Sequence, residues 1–191
     1  MKFFRAGGIL YGLVYSVWRG WGSLGRLLAT WFYHRTLGSC GRGTVFGTGV
    51  YVSHPKAVSI GTSCIIGSRV LFASEHSDGR LMIGDRVQIS EDCRIDYTGN
   101  VYIGDNALLS AGVRVYSHSH GYHPRDPAAP EQLSIEADVW IGLGSVVLSG
   151  VGKIGRAAIV GAGAVVTEPI PEYAVAVGNP ARVIKVRRSE S

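Results

Sequence analysis

Residues 83–100 read IGDRVQ ISEDCR IDYTGN, and residues 103–120 read IGDNAL LSAGVR VYSHSH. Each stretch falls into three six-residue units headed by an aliphatic residue: Ile83, Ile89 and Ile95, then Ile103, Leu109 and Val115. The fifth place of a unit is selective too, with Val87, Cys93, Ala107 and Val113. The same frame runs through Ile60, Ile66 and Phe72, through Ile135, Ile141 and Val147, and through Ile154, Val160 and Val166. Self-similarity at a fixed period marks a solenoid. Three flat sides of six residues close one triangular turn, and stacked turns pair as parallel strands about 4.8 Å apart. Heads and fifth residues are expected to point inward, with glycine at the corners. The exceptions at the fifth place, His76, Gly99 and Ser119, all fall in the third unit of a turn.

Extra residues separate the triplets: five after residue 77, two after 100, fourteen after 120 and one after 152. Every insertion therefore belongs to one corner, and insertions stacked on one edge of a repeat protein often build its binding face. The long one, about 117–134, carries His118, His120, Tyr122, His123 and Arg125. Upstream, Phe46, Val52 and Val58 suggest an imperfect first turn. Residues 1–37 leave the frame and read as two short helical pieces, 3–18 and 22–35, broken at Gly20 and Gly22. Downstream, Glu168-Pro169-Ile170-Pro171 is expected to end the coil, and Val175–Arg188 to form a last strand or tail. The division is thus a helical segment over 1–40 and a β-helix domain over 41–191.

Composition agrees with a packed, corner-rich protein. Hydrophobic residues make up 46% of 191 and charged residues 17%, which excludes disorder as the main state, and glycine stands at 27. Cys40, Cys64 and Cys93 have no CxxC spacing and cannot build a disulfide framework. Cys64 and Cys93 sit at inward fifth places, as small buried residues do. The charge is lopsided. Residues 1–74 hold eight basic residues and no acid, whereas the remainder holds eleven basic and fourteen acidic residues. The first part is expected to face something anionic. The uncharged run Ala6–Trp18 is too short to span a bilayer, and Arg19-Gly20-Trp21 after it does not resemble a cleavage site, so export is not expected.

The repeat, the histidine loop, Asp138-Val139-Trp140-Ile141-Gly142 and Gly178-Asn179-Pro180-Ala181-Arg182-Val183-Ile184 together resemble the hexapeptide acyltransferases, nearest the maltose/galactoside and capsular-polysaccharide O-acetyltransferase branch. The resemblance spans residues 45–186. It implies an all-β, left-handed parallel β-helix, a homotrimer with sites between subunits, and acetyl-CoA as acyl donor. The handedness comes from the resemblance alone, since ordinary crossover rules favour the right hand.

Moving an acetyl group from a thioester to a hydroxyl needs a base, and histidine, with an ordinary pKa of about 6.5, is suited to it. By position the resemblance puts His118 in that role, ahead of His120 and His123. It puts Trp140 beside the acyl group and Arg182, helped by Lys185, on the CoA phosphates. Gly144 and Ser145 are candidates for presenting backbone to the pantetheine arm. Glu168 stands where many relatives carry lysine, which puts one phosphate contact in doubt. On the acceptor side Asp96 is a candidate for holding a sugar hydroxyl, for orienting His118, or simply for making a turn. Tyr97, His120 and Glu75 are further acceptor candidates. No metal ligand set is assigned, although His118 and His123 mimic part of the zinc set of the carbonic anhydrases of this fold.

The expected function is acetyl-CoA-dependent O-acetylation of a sugar in surface-polysaccharide or glycolipid synthesis. N-acylation of an amino sugar, a zinc enzyme and a non-enzymatic scaffold remain alternatives. Expected partners are other copies of the chain and a glycan acceptor, not nucleic acid. The expected place is the cytoplasm, with residues 1–37 capping the coil or touching the membrane face.

Overall fold

Three parallel sheets wall a triangular prism in the computed structural model, which describes residues 22–123 and 125–188. The expected helical piece 3–18, with Trp18 and Trp21, lies outside the described residues. Face A stacks Ser39–Cys40, Val58–Ile60, Leu81–Ile83, Val101–Ile103, Leu133–Ile135 and Lys153–Ile154. Face B runs from Val45–Phe46 through Gln88–Ile89, Leu108–Leu109 and Trp140–Ile141 to Ala174–Val177 and Arg182–Val186. Face C runs from Tyr51–Val52 through Arg94–Asp96 and Arg114–Val115 to Val165–Val166. The coil is a left-handed β-helix of about seven turns.

The register follows the six-residue frame. Ile60 pairs with Ile83, Ile83 with Ile103 and Ile103 with Ile135, so the heads stack in a file. Heads and fifth residues together are the core. The files taper, from Phe46 at one end of face B to Ala176 near the other. Cys64 and Cys93 are buried among them, and burial pushes both thiols up, that of Cys93 to about 11.

Three expectations change. First, Cys40, not Val58, heads the first turn, because Cys40 pairs with Ile60 while Val58 opens the next face A strand against Leu81. Second, the prolines do not end the coil. Ile170 between them donates its N–H to Lys153 O at 3.0 Å and accepts from Gly155 N at 2.8 Å. Pro169 and Pro171 flank the one residue whose N–H the ladder needs, so neither removes a bond. The chain then adds Ala174–Val177 to face B and turns back with the antiparallel Arg182–Val186. Third, glycine does not hold the corners alone. Ser63, Arg69, Arg86, Asp92, Asn106, Asp138 and Ala157 also adopt left-handed φ. The glycine after a head instead lets two turns approach closely, since a Cβ on Gly104 would lie 2.5 Å from Ala137 N in the next turn.

Helix 22–36 lies against the first turn, whose strands have no turn below them among the described residues. Its side chains meet the backbone groups there. Thr30 Oγ1 accepts from Phe46 N at 3.0 Å, Tyr33 OH donates to Val50 O at 2.7 Å, and His34 Nε2 is 2.9 Å from Thr44 O. Among the described residues, no helix is long and apolar enough to cross a membrane.

Candidate active site

The insertions all fall at the corner between faces C and A, and that corner gathers the titratable cluster. Asp96 closes the strand Arg94–Asp96 and pairs with Ala73 one turn below. One turn above, the chain leaves Arg114–Val115 and reaches Ser117 and His118. His118–Ser119 then pairs antiparallel with Ala129–Pro130, which closes the base of the long loop. Three successive turns thereby bring Glu75, Asp96 and His118 together.

Asp96 is only 2% exposed, yet four donors surround its carboxylate. His118 Nδ1 lies 2.8 Å from Oδ1, Ser117 Oγ donates at 3.2 Å, and Thr98 donates through its N–H at 3.2 Å and through its hydroxyl at 3.3 Å. Burial of a carboxylate without such donors is costly. A carboxylate can only accept, so Nδ1 of His118 carries a proton toward Asp96, and in the neutral ring the lone pair is on Nε2. That nitrogen faces outward, 3.5 Å from Glu75 Oε1. The His118 side chain is 11% exposed, so the ring is held inside while its working end is reachable.

The remaining candidates divide. His120 stands beside His118, ring centroids 5.1 Å apart and nearly perpendicular, with Nδ1 2.8 Å from Asp126 O. His123 turns away and pairs loosely with Asp126 at 3.6 Å. Tyr97 is not an acceptor contact. It is fully buried, with its hydroxyl 3.1 Å from Ser53 Oγ and accepting from His54 N. Asp96 does not meet an acceptor either, since its oxygens are behind the His118 ring, where they orient it. Ser145 cannot offer its backbone: its N–H points to Gly142 O, its carbonyl accepts from Arg114 N, and its hydroxyl donates to Gly161 O. Gly144 stays at an exposed corner, though its N–H is taken by Ala111 O at 2.9 Å.

Trp140, Lys185 and Arg182 are elsewhere, on face B. Trp140 is half-exposed and donates from Nε1 to Ser110 Oγ at 3.1 Å. Trp140 pairs with Ile159, Ile159 with Val175 and Val175 with Lys185, so one outer row carries both residues. Arg182 follows on the same sheet, 3.9 Å from Glu168. Face B is the side opposite the corner between C and A, so one chain does not bring Trp140 to His118. A groove of about 510 Å³ between the helix and the first strands of face B is far from this chemistry, and among the described residues Arg26 is its only charged wall.

Sequence reasoning missed Ser117 and Thr98 as supports of the Asp96 carboxylate. The one signal that pointed to them was the failure of the fifth-place rule in third units, which flags this corner.

No family model matches the chain. A probable acetyltransferase of Mycobacterium tuberculosis is 32% identical over 157 residues, which is 77% of this chain and 51% of that protein. A 2,3,4,5-tetrahydropyridine-2,6-dicarboxylate N-acetyltransferase of Staphylococcus aureus is 40% identical over 86 residues, 45% of this chain and 30% of that one. The chain thus spans about half or less of the curated relatives it matches. Among solved structures, a variant of the N-acyltransferase AntD from Bacillus cereus, in complex with dTDP and coenzyme A, superposes with a TM-score of 0.73 at 20% identity. That match covers 83% of this chain and 88% of AntD. A hexapeptide-repeat acetyltransferase of Vibrio cholerae in complex with acetyl coenzyme A has a TM-score of 0.59 at 22% identity, over 82% and 75% of the two chains. The repeat and the left-handed coil are those of the hexapeptide-repeat fold that these solved structures share, and the relatives by sequence are named acetyltransferases.

Proposed function

We propose that the protein transfers acetyl from acetyl-CoA to a sugar hydroxyl, with His118 as general base. The observation that carries this reading is the orientation of His118. A buried carboxylate fixes its tautomer and aims a lone pair outward, as deprotonating an alcohol requires. Crystallised neighbours of the fold hold coenzyme A or acetyl coenzyme A, which supports the donor. Trp140, Lys185 and Arg182 share one sheet and are its candidate binders; Gly144 adjoins them at the corner of the same turn as Trp140. Because these residues and His118 sit on opposite sides of the prism, we infer that sites are completed between copies of the chain, as in a trimer.

N-acylation of an amino sugar is the second reading. AntD is an N-acyltransferase crystallised with dTDP-4-amino-4,6-dideoxyglucose, and the Staphylococcus relative is named an N-acetyltransferase. An amine also loses a proton during acylation, so the same base serves both. The test is CoA release against paired acceptors, each sugar offered with a hydroxyl or an amine at one position. Turnover of the hydroxyl member supports the first reading, and turnover confined to the amine supports the second. The setting we infer is surface-polysaccharide or glycolipid synthesis in the cytoplasm, with the basic, aromatic N-terminal segment against the anionic membrane face.

A further inference from the structure

The corner holds one arrangement that the transfer reaction leaves unexplained. Three ligand atoms, one each from Glu75, His118 and His120, lie within 4.8 Å of one another. His118 Nε2 is 3.5 Å and His120 Nε2 is 3.8 Å from Glu75 Oε1. Both separations exceed an ordinary N–H···O bond, which is about 2.9 Å.

The tautomers account for the spacing. Asp96 holds Nδ1 of His118, and the carbonyl of Asp126 holds Nδ1 of His120 at 2.8 Å. A carboxylate and a carbonyl can only accept, so both rings carry their protons on Nδ1. When both rings are neutral, their Nε2 lone pairs therefore converge on the Glu75 carboxylate, which has lone pairs of its own. Three acceptors facing one another repel unless a positive centre stands between them, either a metal ion or a proton added to one Nε2.

A metal ion is such a centre. Zinc bonds of about 2.0–2.1 Å to imidazole nitrogen and carboxylate oxygen, in tetrahedral geometry, set ligand atoms about 3.3 Å apart. The two separations from Glu75, 3.5 and 3.8 Å, are somewhat longer than that, and the two imidazole nitrogens lie within 4.8 Å of each other, so the three atoms would draw in slightly around an ion. The outer partners are also those of a metal site. Histidine ligands donate their second N–H to a carboxylate or a backbone carbonyl, which fixes the ring and raises its basicity. Asp96 and Asp126 O supply one of each. Two imidazoles and one carboxylate suit zinc and leave a fourth position open. The sequence pointed to a different pair, His118 with His123, and His123 is the histidine that turns away.

We propose that Glu75, His118 and His120 form a zinc site, and that zinc there switches off transfer by occupying His118 Nε2. The ion bonds to the lone pair that the acceptor hydroxyl would use, so metal and proton transfer exclude each other. The inhibitory half rests on the reading of His118 as base; the binding half does not.

The experiment begins with the full chain stripped by chelator and titrated with zinc chloride in a calorimeter. One ion per chain is expected. Glu75→Ala and His120→Ala should each weaken binding at least tenfold, while His123→Ala should leave it unchanged. Thermal melts of the stripped variants would check that each is folded. Cobalt(II) should give the visible bands of a tetrahedral nitrogen and oxygen site in the parent and in His123→Ala, and lose them in the other two variants. Zinc binding no tighter than millimolar, or equal binding by all four proteins, would overturn the site. The second arm measures CoA release by the parent protein with and without zinc. Inhibition that tracks the calorimetric curve and reverses with chelator supports the switch. Zinc bound at these three residues with transfer undiminished would keep the site and sink the switch, and with it the role of His118 as base.

Discussion

Asp96 and His118 are 22 residues apart in sequence and 2.8 Å apart in space, and the base reading rests on that contact. On the proposed reading Asp96 is a positioning residue, because it touches His118 and is itself buried. If His118 takes the acceptor proton, His118→Ala should lower kcat by about 10²–10⁴ and leave the KM for acetyl-CoA nearly unchanged. Asp96→Asn is the more telling variant. The asparagine amide keeps the volume and can still accept from Ser117 or Thr98, but it can also donate to Nδ1. That would shift the His118 proton to Nε2 and remove the outward lone pair. A loss in kcat of about 10²–10⁴ is expected there too, with a melting temperature close to that of the parent. If Asp96→Asn instead retains kcat and only melts earlier, the carboxylate serves the fold and not the base.

At the scale of elements, the site depends on how the corner backbones of adjacent turns approach each other. Gly99 is the tightest of these approaches within the site. A Cβ there would run into the carbonyl of Ser117 and the backbone of Glu131, the two strands of chain that bracket the long loop. Its N–H also donates to Ser117 Oγ at 2.9 Å, next to Asp96. Gly99→Ala should therefore displace Ser117 and His118 and lower kcat by at least tenfold. It should leave most of the coil intact, because each turn contacts only its neighbours. Circular dichroism would report the coil and CoA release would report the corner; equal loss of both would mean that the damage is global. This corner also marks how far the sequence could be read. The heads, the fifth places and the insertion corner follow from a six-residue period and were legible; His118 was singled out through the family resemblance, and the structure places it at that corner. The approach of Glu75 to His118 and of Asp96 to Ser117 was not, because it depends on register between turns rather than on spacing within one. Likewise Pro169 and Pro171 read as a stop, since only the ladder reveals that Ile170 alone must donate there.

At the scale of the whole molecule, the N-terminal segment combines basic residues with exposed apolar side chains. Residues 1–37 hold five basic residues and no acid. Within them, helix 22–36 uses two sets of side chains for different ends. Thr30, Tyr33 and His34 meet the backbone of the first turn. Leu24, Leu27, Leu28, Trp31 and Phe32 are exposed, and Arg35 lies 5.1 Å over the Trp31 ring. An apolar stripe beside arginines suits a helix lying in an anionic lipid surface, with the rings at headgroup depth and the cations on phosphate. Removing the whole segment would confuse this with loss of the cap. The separation of the two sets permits a cleaner test, because Leu27, Leu28 and Trp31 can be changed to serine while Thr30, Tyr33 and His34 stay. The parent should float with vesicles containing phosphatidylserine, float less as salt rises, and remain in solution with neutral vesicles. The triple serine variant should lose flotation by several-fold while melting at the parent temperature. If the parent does not float with anionic vesicles even at low salt, the stripe has another partner and the helix contributes only its cap. If the serine variant floats as well as the parent, the exposed stripe is not what meets the lipid.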